Sequence, residues 1–179
     1  MAQGWRWQAK RVSFLCMKQL LIVWHSLTGG SEALARAALD GANGKDDVAT
    51  RLLHADVAQT EDMCAADGYV FVFPENLAAI AGVMKAFFDR CYYPCLGAIE
   101  GRPYAIIVCA GSDGSNAVRQ AERIATGWRL KKVADSMIIC THAQTPEAIL
   151  APKVIGDEDL GAAHDLGASL AAGLAMGIF

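Results

Sequence analysis

The sequence lacks the charge and hydropathy patterns that mark nucleic-acid-binding and membrane-spanning proteins. None of its segments contains five or more like charges in a row, and the formal net charge of the 179 residues is -3. A chain with this charge pattern is not expected to bind nucleic acid or an anionic membrane. The C-terminal stretch 166–179 is apolar, but Gly167, Gly173 and Gly177 interrupt it. We therefore interpret it as the end of a buried helix rather than a membrane span.

Several catalytic and nucleotide-binding signatures are also missing. No Gly-Lys-Ser/Thr sequence and no G-x-G-x-x-G follows the first apolar run, which counts against a nucleoside triphosphatase and a Rossmann dinucleotide fold. No G-x-S-x-G indicates a serine hydrolase. Cys91 and Cys95 lack a second pair at zinc-binding spacing, so a metal site is not favoured. A chain of this size needs no disulfide framework for its six cysteines, and we expect a cytoplasmic protein.

The first residues do not look like a secretion signal. They contain Trp5, Arg6, Trp7, Lys10 and Arg11 instead of an unbroken apolar segment with a cleavage site. We predict that residues 1–17 are an N-terminal extension and that residues 18–179 form one domain.

Short apolar runs alternate with segments of helical composition along the rest of the chain. Strands are predicted at 20–24, 48–53, 69–73, 104–110 and 133–140. Helices are predicted at 32–39, 78–93, 116–126 and from Asp157 onwards. Pro74 is expected to end the third strand, and Pro94 with Gly97 to end the second helix. This alternation predicts an α/β fold with a doubly wound, five-stranded parallel sheet.

The loop after the first strand has the composition of an anion-binding site. It combines the hydroxyls of Ser26, Thr28 and Ser31 with Gly29 and Gly30, directly ahead of a helix. Glycines let backbone N–H groups approach an oxyanion, and the helix N-terminus favours negative charge. The alternative is an ordinary helix start that Thr28 or Ser31 caps, with no ligand.

Three loops carry a family resemblance. His25-Ser26-Leu27-Thr28-Gly29-Gly30-Ser31 resembles the Ser-x-Thr-Gly-x-Thr phosphate loop of flavodoxin-like proteins. Pro74-Glu75-Asn76, followed by Gly82, Lys85, Phe88 and Asp89, resembles a stretch of NAD(P)H-dependent FMN and quinone reductases. The segment from Gly111 to Ser115 stands where that family has a glycine-rich loop beside the flavin ring.

The resemblance implies a flavodoxin-like strand order, 2-1-3-4-5, and a bound FMN. It would place the phosphate on Ser26, Thr28, Gly29, Gly30 and Ser31. It would place the isoalloxazine between two further loops, formed by Pro74, Glu75, Asn76 and Leu77 and by Gly111, Ser112, Asp113 and Gly114. No side chain is expected to act as an acid or base, because the redox chemistry belongs to the flavin. His25 is either a proton donor near the phosphate or a structural residue.

The implied function is electron transfer from NAD(P)H through FMN to a small acceptor such as a quinone or free flavin. The resemblance also implies a homo-oligomer, either a dimer or a tetramer. Two other functions stay open: an electron-carrier flavodoxin, and a flavodoxin-fold protein that binds no cofactor. The mild net charge of -3 favours the enzyme, since carriers are strongly acidic around the flavin.

Overall fold

The apolar runs form the strands of a parallel sheet with helices on both faces. The computed structural model describes residues 17–44 and 47–179. The described strands are β1 (Lys18–Trp24), β2 (Val48–His54), β3 (Gly68–Asn76), β4 (Ala79–Ile80), β5 (Pro103–Ala110), β6 (Lys131–Lys132) and β7 (Met137–Cys140). The described helices are α1 (Gly30–Ala42), α2 (Thr60–Ala65), α3 (Gly82–Cys95), α4 (Ser115–Gly127), α5 (Pro146–Leu150) and α6 (Asp157–Met176).

The strand order confirms the predicted fold class. Parallel pairing runs β2-β1-β3-β5, and β6 and β7 pair with the start and the end of β5. These two short strands together take the place of the predicted fifth strand, so the order corresponds to 2-1-3-4-5. The predicted strand 133–140 is interrupted at residues 133–136. There, the carboxylate of Glu122 accepts hydrogen bonds from Lys132 Nζ and Ser136 Oγ.

The two faces of the sheet bury separate apolar clusters. One face packs against α2, α3 and α4, with Phe71, Phe88 and Trp128 among its large side chains. The other face packs against α1 and α6. These helices approach closely because Gly41 and Gly167 lack side chains: a Cβ on Gly167 would lie 1.9 Å from the Ala38 carbonyl oxygen. The N-terminus of α1 lies at the carboxyl edge of the sheet because the helix follows β1 after a short loop.

The segment after β3 differs most from the sequence prediction. The strand does not stop at Pro74, which pairs with Cys109 and whose carbonyl accepts a hydrogen bond from Ala81 N. Proline is tolerated here because the pairing of β3 with β1 ends at Val72, so no ladder bond on that side requires the missing N–H. The helix begins at Gly82 rather than Ala78, and it continues through Pro94 to Cys95.

Two short helices, α2 and α5, were not predicted, and each has only one turn or slightly more. The proposed N-terminal extension, residues 1–17, lies outside the described residues except for Met17. Among the described residues, no helix combines the length and the apolarity needed to cross a membrane.

Candidate functional site

The first loop leaves β1 and turns directly into α1. His25 N donates to the Val72 carbonyl on β3 at 3.0 Å, which fixes the start of the loop. Gly29 N then donates to Ser26 Oγ at 2.9 Å, so the Ser26 hydroxyl closes a turn within the loop. Gly29 has a φ of 89°, a left-handed conformation that suits glycine. The conformation of the loop is therefore fixed by its own hydrogen bonds and by the glycine at position 29.

The start of α1 has the properties of an anion site. Within the described part of the chain no side chain caps the helix, so the interpretation of Thr28 or Ser31 as an ordinary N-cap is wrong. The first N–H groups of a helix have no acceptor within it, and they carry the positive end of the macrodipole. Ser31 is 1% exposed, and its Oγ has no oxygen or nitrogen hydrogen-bond partner among the described residues; the polar group beside it is the Cys109 thiol, a weak partner. A buried hydroxyl without a partner is costly unless a ligand occupies it.

Gly30 lets the first loop lie directly on the sheet. A Cβ at this position would stand 2.8 Å from Cys109 Sγ and 3.2 Å from Lys153 Cβ. Burial raises the pKa of the Cys109 thiol to about 11, and the nearby Lys153 ammonium opposes this shift. The thiol thus packs as a neutral side chain beneath the loop.

The second loop is a tight β-hairpin. Glu75 pairs with Ile80 and Asn76 with Ala79, which leaves Leu77 and Ala78 as a two-residue turn. Both turn residues have positive φ, 51° and 58°. Such a turn ordinarily carries Asn-Gly or a similar pair, because other residues are strained there.

Two hydrogen bonds from α4 and one from the residue before it hold this hairpin in place. Glu75 Oε2 accepts from Gly114 N at 3.1 Å, and Gln120 Oε1 accepts from Ile80 N at 3.1 Å. Asn116 Nδ2 donates to the Ala78 carbonyl. The second loop is therefore positioned by side chains of a neighbouring helix and by its own glutamate.

The third loop connects β5 to α4. Gly114 has a φ of 76°, and a Cβ there would lie 2.7 Å from Ile138 Cγ2, so the position requires glycine. Asp113 accepts hydrogen bonds from Ser115 N and Oγ. Ser112 is exposed. Only the Glu75 to Gly114 bond joins this loop to the second one among the described hydrogen bonds.

The three loops surround an open cleft of about 490 Å³, including its mouth, at the carboxyl edge of the sheet. Eight predicted site residues line it: Ser26, Thr28, Gly30, Ser31, Pro74, Glu75, Asn76 and Gly111. Five predicted residues are not part of its lining: Gly29, Leu77, Ser112, Asp113 and Gly114. Gly29 and Gly114 instead begin α1 and α4.

Sequence reasoning missed a fourth wall of the cleft. It comes from the connection between β7 and α6, through Thr141, Ala143, Ile149 and Lys153. Leu27, Cys109 and Ala110 also line the cleft without having been predicted. The available signal was position, because a segment that follows a parallel strand begins at the same edge as the other loops.

His25 does not stand alone at this edge. Its Nδ1 lies 3.1 Å from His54 Nε2 at the end of β2, and His54 Nδ1 lies 3.5 Å from Asp56 Oδ2. Burial lowers the pKa of His25, the nearby His54 lowers it further, and Asp56 opposes the change. A hydrogen bond therefore links the start of the first loop to the end of β2.

Solved structures with a similar fold include proteins named flavodoxins and flavodiiron proteins. A flavodoxin from the domain Archaea superposes with a TM-score of 0.71 at 16% identity, over 87% of this chain and 98% of its own. The flavodiiron protein from Giardia intestinalis superposes with a TM-score of 0.72 at 19% identity, over 90% of this chain and 37% of its own. At these identities the likeness establishes the flavodoxin-like fold.

Comparison of sequences identifies the family, which the comparison of folds does not. A flavodoxin from Aquifex aeolicus (strain VF5) is 32% identical over 96 residues, which are 54% of this chain and 50% of that protein. The chain thus aligns with about half the length of this curated relative. The sequence model of the NADPH-dependent FMN reductases matches residues 38–144, which include the hairpin and the third loop. Because that match covers more than half of the chain, the protein belongs to the NADPH-dependent FMN reductase family.

Proposed function

We propose that the chain binds FMN in this cleft, with the phosphate on the first loop, and passes electrons from NADPH or NADH to a small acceptor. The observation that carries the proposal is Ser31, which lines the cleft at the α1 N-terminus and whose buried Oγ has, among the described residues, only the Cys109 thiol as a polar neighbour. When bound, FMN supplies the hydride and electron chemistry. The protein binds and orients it.

The residues present fit a phosphate group. The first loop offers the hydroxyls of Thr28 and Ser31 and the N–H groups of the first turn of α1, all donors that a phosphate oxygen accepts. The family match begins at residue 38, after this loop. The phosphate assignment therefore rests on the geometry of the loop and on its resemblance to flavodoxin-like phosphate loops.

The second and third loops are proposed to flank the isoalloxazine. Pro74, Glu75 and Asn76 line the cleft on one side and Gly111 on another. Glu75 holds these two loops at a fixed spacing through its bond to Gly114 N. Its carboxylate is thus engaged in orienting the walls, which supports a positioning role rather than a proton-transfer role.

An electron carrier is the second candidate. The Aquifex aeolicus relative is named a flavodoxin, which favours a carrier, whereas the family match and the mild net charge of -3 favour a reductase. The two differ in one testable property: a reductase takes electrons directly from a nicotinamide, and a carrier takes them from a protein.

The cleft mouth supports a small, apolar acceptor and a second subunit. Leu27 and Ile149 line the cleft and are 65% and 50% exposed, and Leu77 in the hairpin turn is 102% exposed. Apolar side chains grouped at a binding site commonly mark an interface. We therefore retain a homo-oligomer, a dimer or a tetramer, as part of the proposal. Light scattering of the parent and of Leu77→Asp tests it: a smaller mass for the variant supports contact through the hairpin.

Anaerobic rapid mixing tests the reaction itself. The FMN-loaded protein is mixed with NADPH or NADH, and the loss of flavin absorbance is followed against the same concentration of free FMN. Fast bleaching with at least one nicotinamide, followed by reoxidation by a quinone or free flavin, supports the reductase. Bleaching no faster than with free FMN overturns it and favours the carrier. Failure to take up FMN overturns both.

A further inference from the structure

Lys153 brings positive charge to the phosphate end of the cleft. It is the one cationic side chain among the described residues that line the cleft. Its backbone N donates to the Thr28 carbonyl at 2.8 Å, and its Cβ packs beside Gly30. The main chain of Lys153 is therefore fixed on the first loop.

The Lys153 ammonium has hydrogen-bond partners but no counter-charge. Nζ donates to the carbonyls of Ala148, Ile149 and Ala151 at 2.7, 2.9 and 2.6 Å, which closes the end of α5. None of the ion pairs among the described residues includes it. These neutral carbonyls use all three of its donors but do not neutralise its charge, and the charge stands on a residue whose main chain is bound to the first loop.

The first loop needs such a charge. Residues 26–31 contain no lysine, arginine or histidine. A phosphate monoester carries a charge of about -1.5 to -2 at pH 7. The helix N-terminus supplies the equivalent of only about half a positive charge. The charge of Lys153 already reaches the floor of the loop, where it lowers the pKa of Cys109 by more than the Asp159 carboxylate raises it.

We infer that Lys153 supplies the charge that makes the cleft select a phosphorylated flavin over an unphosphorylated one. The inference rests on the proposed FMN site and adds a specificity-determining residue to it. Through its backbone bond to Thr28 and its bonds to α5, Lys153 also ties the fourth wall of the cleft to the first loop. A purely structural role in closing α5 would not distinguish between the two flavins.

The test compares FMN with riboflavin, which lacks the phosphate, by flavin fluorescence at low ionic strength. Lys153→Met is expected to weaken FMN binding about 10-fold and to leave riboflavin binding nearly unchanged. Lys153→Arg retains the charge and is expected to keep most of the preference. Lys131→Met removes the same charge from the exposed strand β6 and serves as the matched control.

Each outcome decides a separate question. If the parent binds FMN but Lys153→Met weakens both flavins equally, or neither, the inference is overturned while the proposed function stands. If the parent binds neither flavin, both are overturned. If Lys153→Met does not fold, the salt dependence of flavin binding to the parent protein tests the inference instead. Binding of FMN that weakens with salt more than binding of riboflavin supports the inference, and equal dependence overturns it.

Discussion

The first and second loops border the same cleft but hold their conformations in opposite ways. The first loop places its one positive φ at Gly29 and closes on its own Ser26 hydroxyl. The second loop places positive φ at Leu77 and Ala78 and depends on hydrogen bonds with α4. The first conformation is thus favoured by its own residues, whereas tertiary contacts impose the second.

The two loops therefore differ in the conformational strain that their backbones carry. Glycine carries a left-handed conformation with little strain, so the first loop retains its shape for a ligand. A non-glycine residue in the left-handed conformation, such as Leu77 or Ala78, costs about 1–3 kcal/mol of stability. The contacts of the hairpin with α4 must offset this strain. Changes to residues of the first loop should therefore act mainly on binding, and changes to the hairpin mainly on stability.

The largest effect is expected from filling the space at Gly30. Gly30→Val would push side-chain atoms into Cys109 and Lys153, since even a Cβ would lie 2.8 Å from Cys109 Sγ. We expect a loss of about 1–3 kcal/mol of unfolding free energy and no measurable FMN binding. Gly82→Ala is the control, because a Cβ there meets nothing within 4 Å. Normal FMN binding by Gly30→Val would contradict the placement of the first loop.

Relieving the hairpin strain should stabilise the protein. The double substitution Leu77→Asn and Ala78→Gly gives the turn the residues it favours, and we expect a gain of about 1–2 kcal/mol. Urea unfolding of the apoprotein measures it. Leu77→Asn alone should give part of the gain. An unchanged or lower stability of the double variant would mean that the turn residues are not strained.

Removing one anchor of the hairpin should loosen it locally. Gln120→Leu deletes the acceptor of Ile80 N, and we expect a loss of about 1 kcal/mol. Hydrogen exchange of the Ile80 amide should become faster, while exchange in residues 26–31 stays unchanged. Gln120→Glu keeps the acceptor oxygen and should preserve the slow exchange. Equal exchange in both variants would contradict the anchoring role of α4.

The smallest effect concerns pH at the start of the first loop. Because the pKa of His25 is lowered from its ordinary value of about 6.5, the folded state binds its proton less readily than the unfolded chain. Its contribution to stability is therefore present above pH 6.5 and is lost as the pH falls through the lowered pKa.

Nuclear magnetic resonance titration checks this assignment. His25 should titrate below its ordinary value, and His54→Gln should raise that pKa only in part, because burial is the larger cause. A His25 pKa at or above its ordinary value in the parent would contradict the buried pairing of His25 with His54.

Sequence reasoning succeeded where local composition decides structure. The buried run 20–24 and the glycines and hydroxyls of 26–31 predicted β1, the first loop and a helix from Glu32, two residues after the actual start at Gly30. It failed where distant contacts decide: β3 continues past Pro74 because the Pro74 carbonyl meets Ala81 N. The same holds for the hairpin, since neither Leu77 nor Ala78 favours positive φ.

The fourth wall of the cleft had no local signal. Lys153 lies more than a hundred residues from Thr28, and only the sheet brings its backbone N within 2.8 Å of the Thr28 carbonyl. Predicting it would have required the spatial position of the 141–156 connection, which neither periodicity nor turn composition provides.

The central claim is that Ser31 Oγ, whose polar neighbour is the weakly bonding Cys109 thiol, is available to bind the phosphate of FMN. Thr50 Oγ1 is a second buried hydroxyl without a partner among the described residues, and it lies on β2. Calorimetric titration with FMN of the parent, Ser31→Ala and Thr50→Val compares the two directly. We predict that neither substitution lowers the stability of the apoprotein and that Ser31→Ala alone weakens FMN about 10- to 100-fold. Equal FMN affinity in all three proteins would contradict the account.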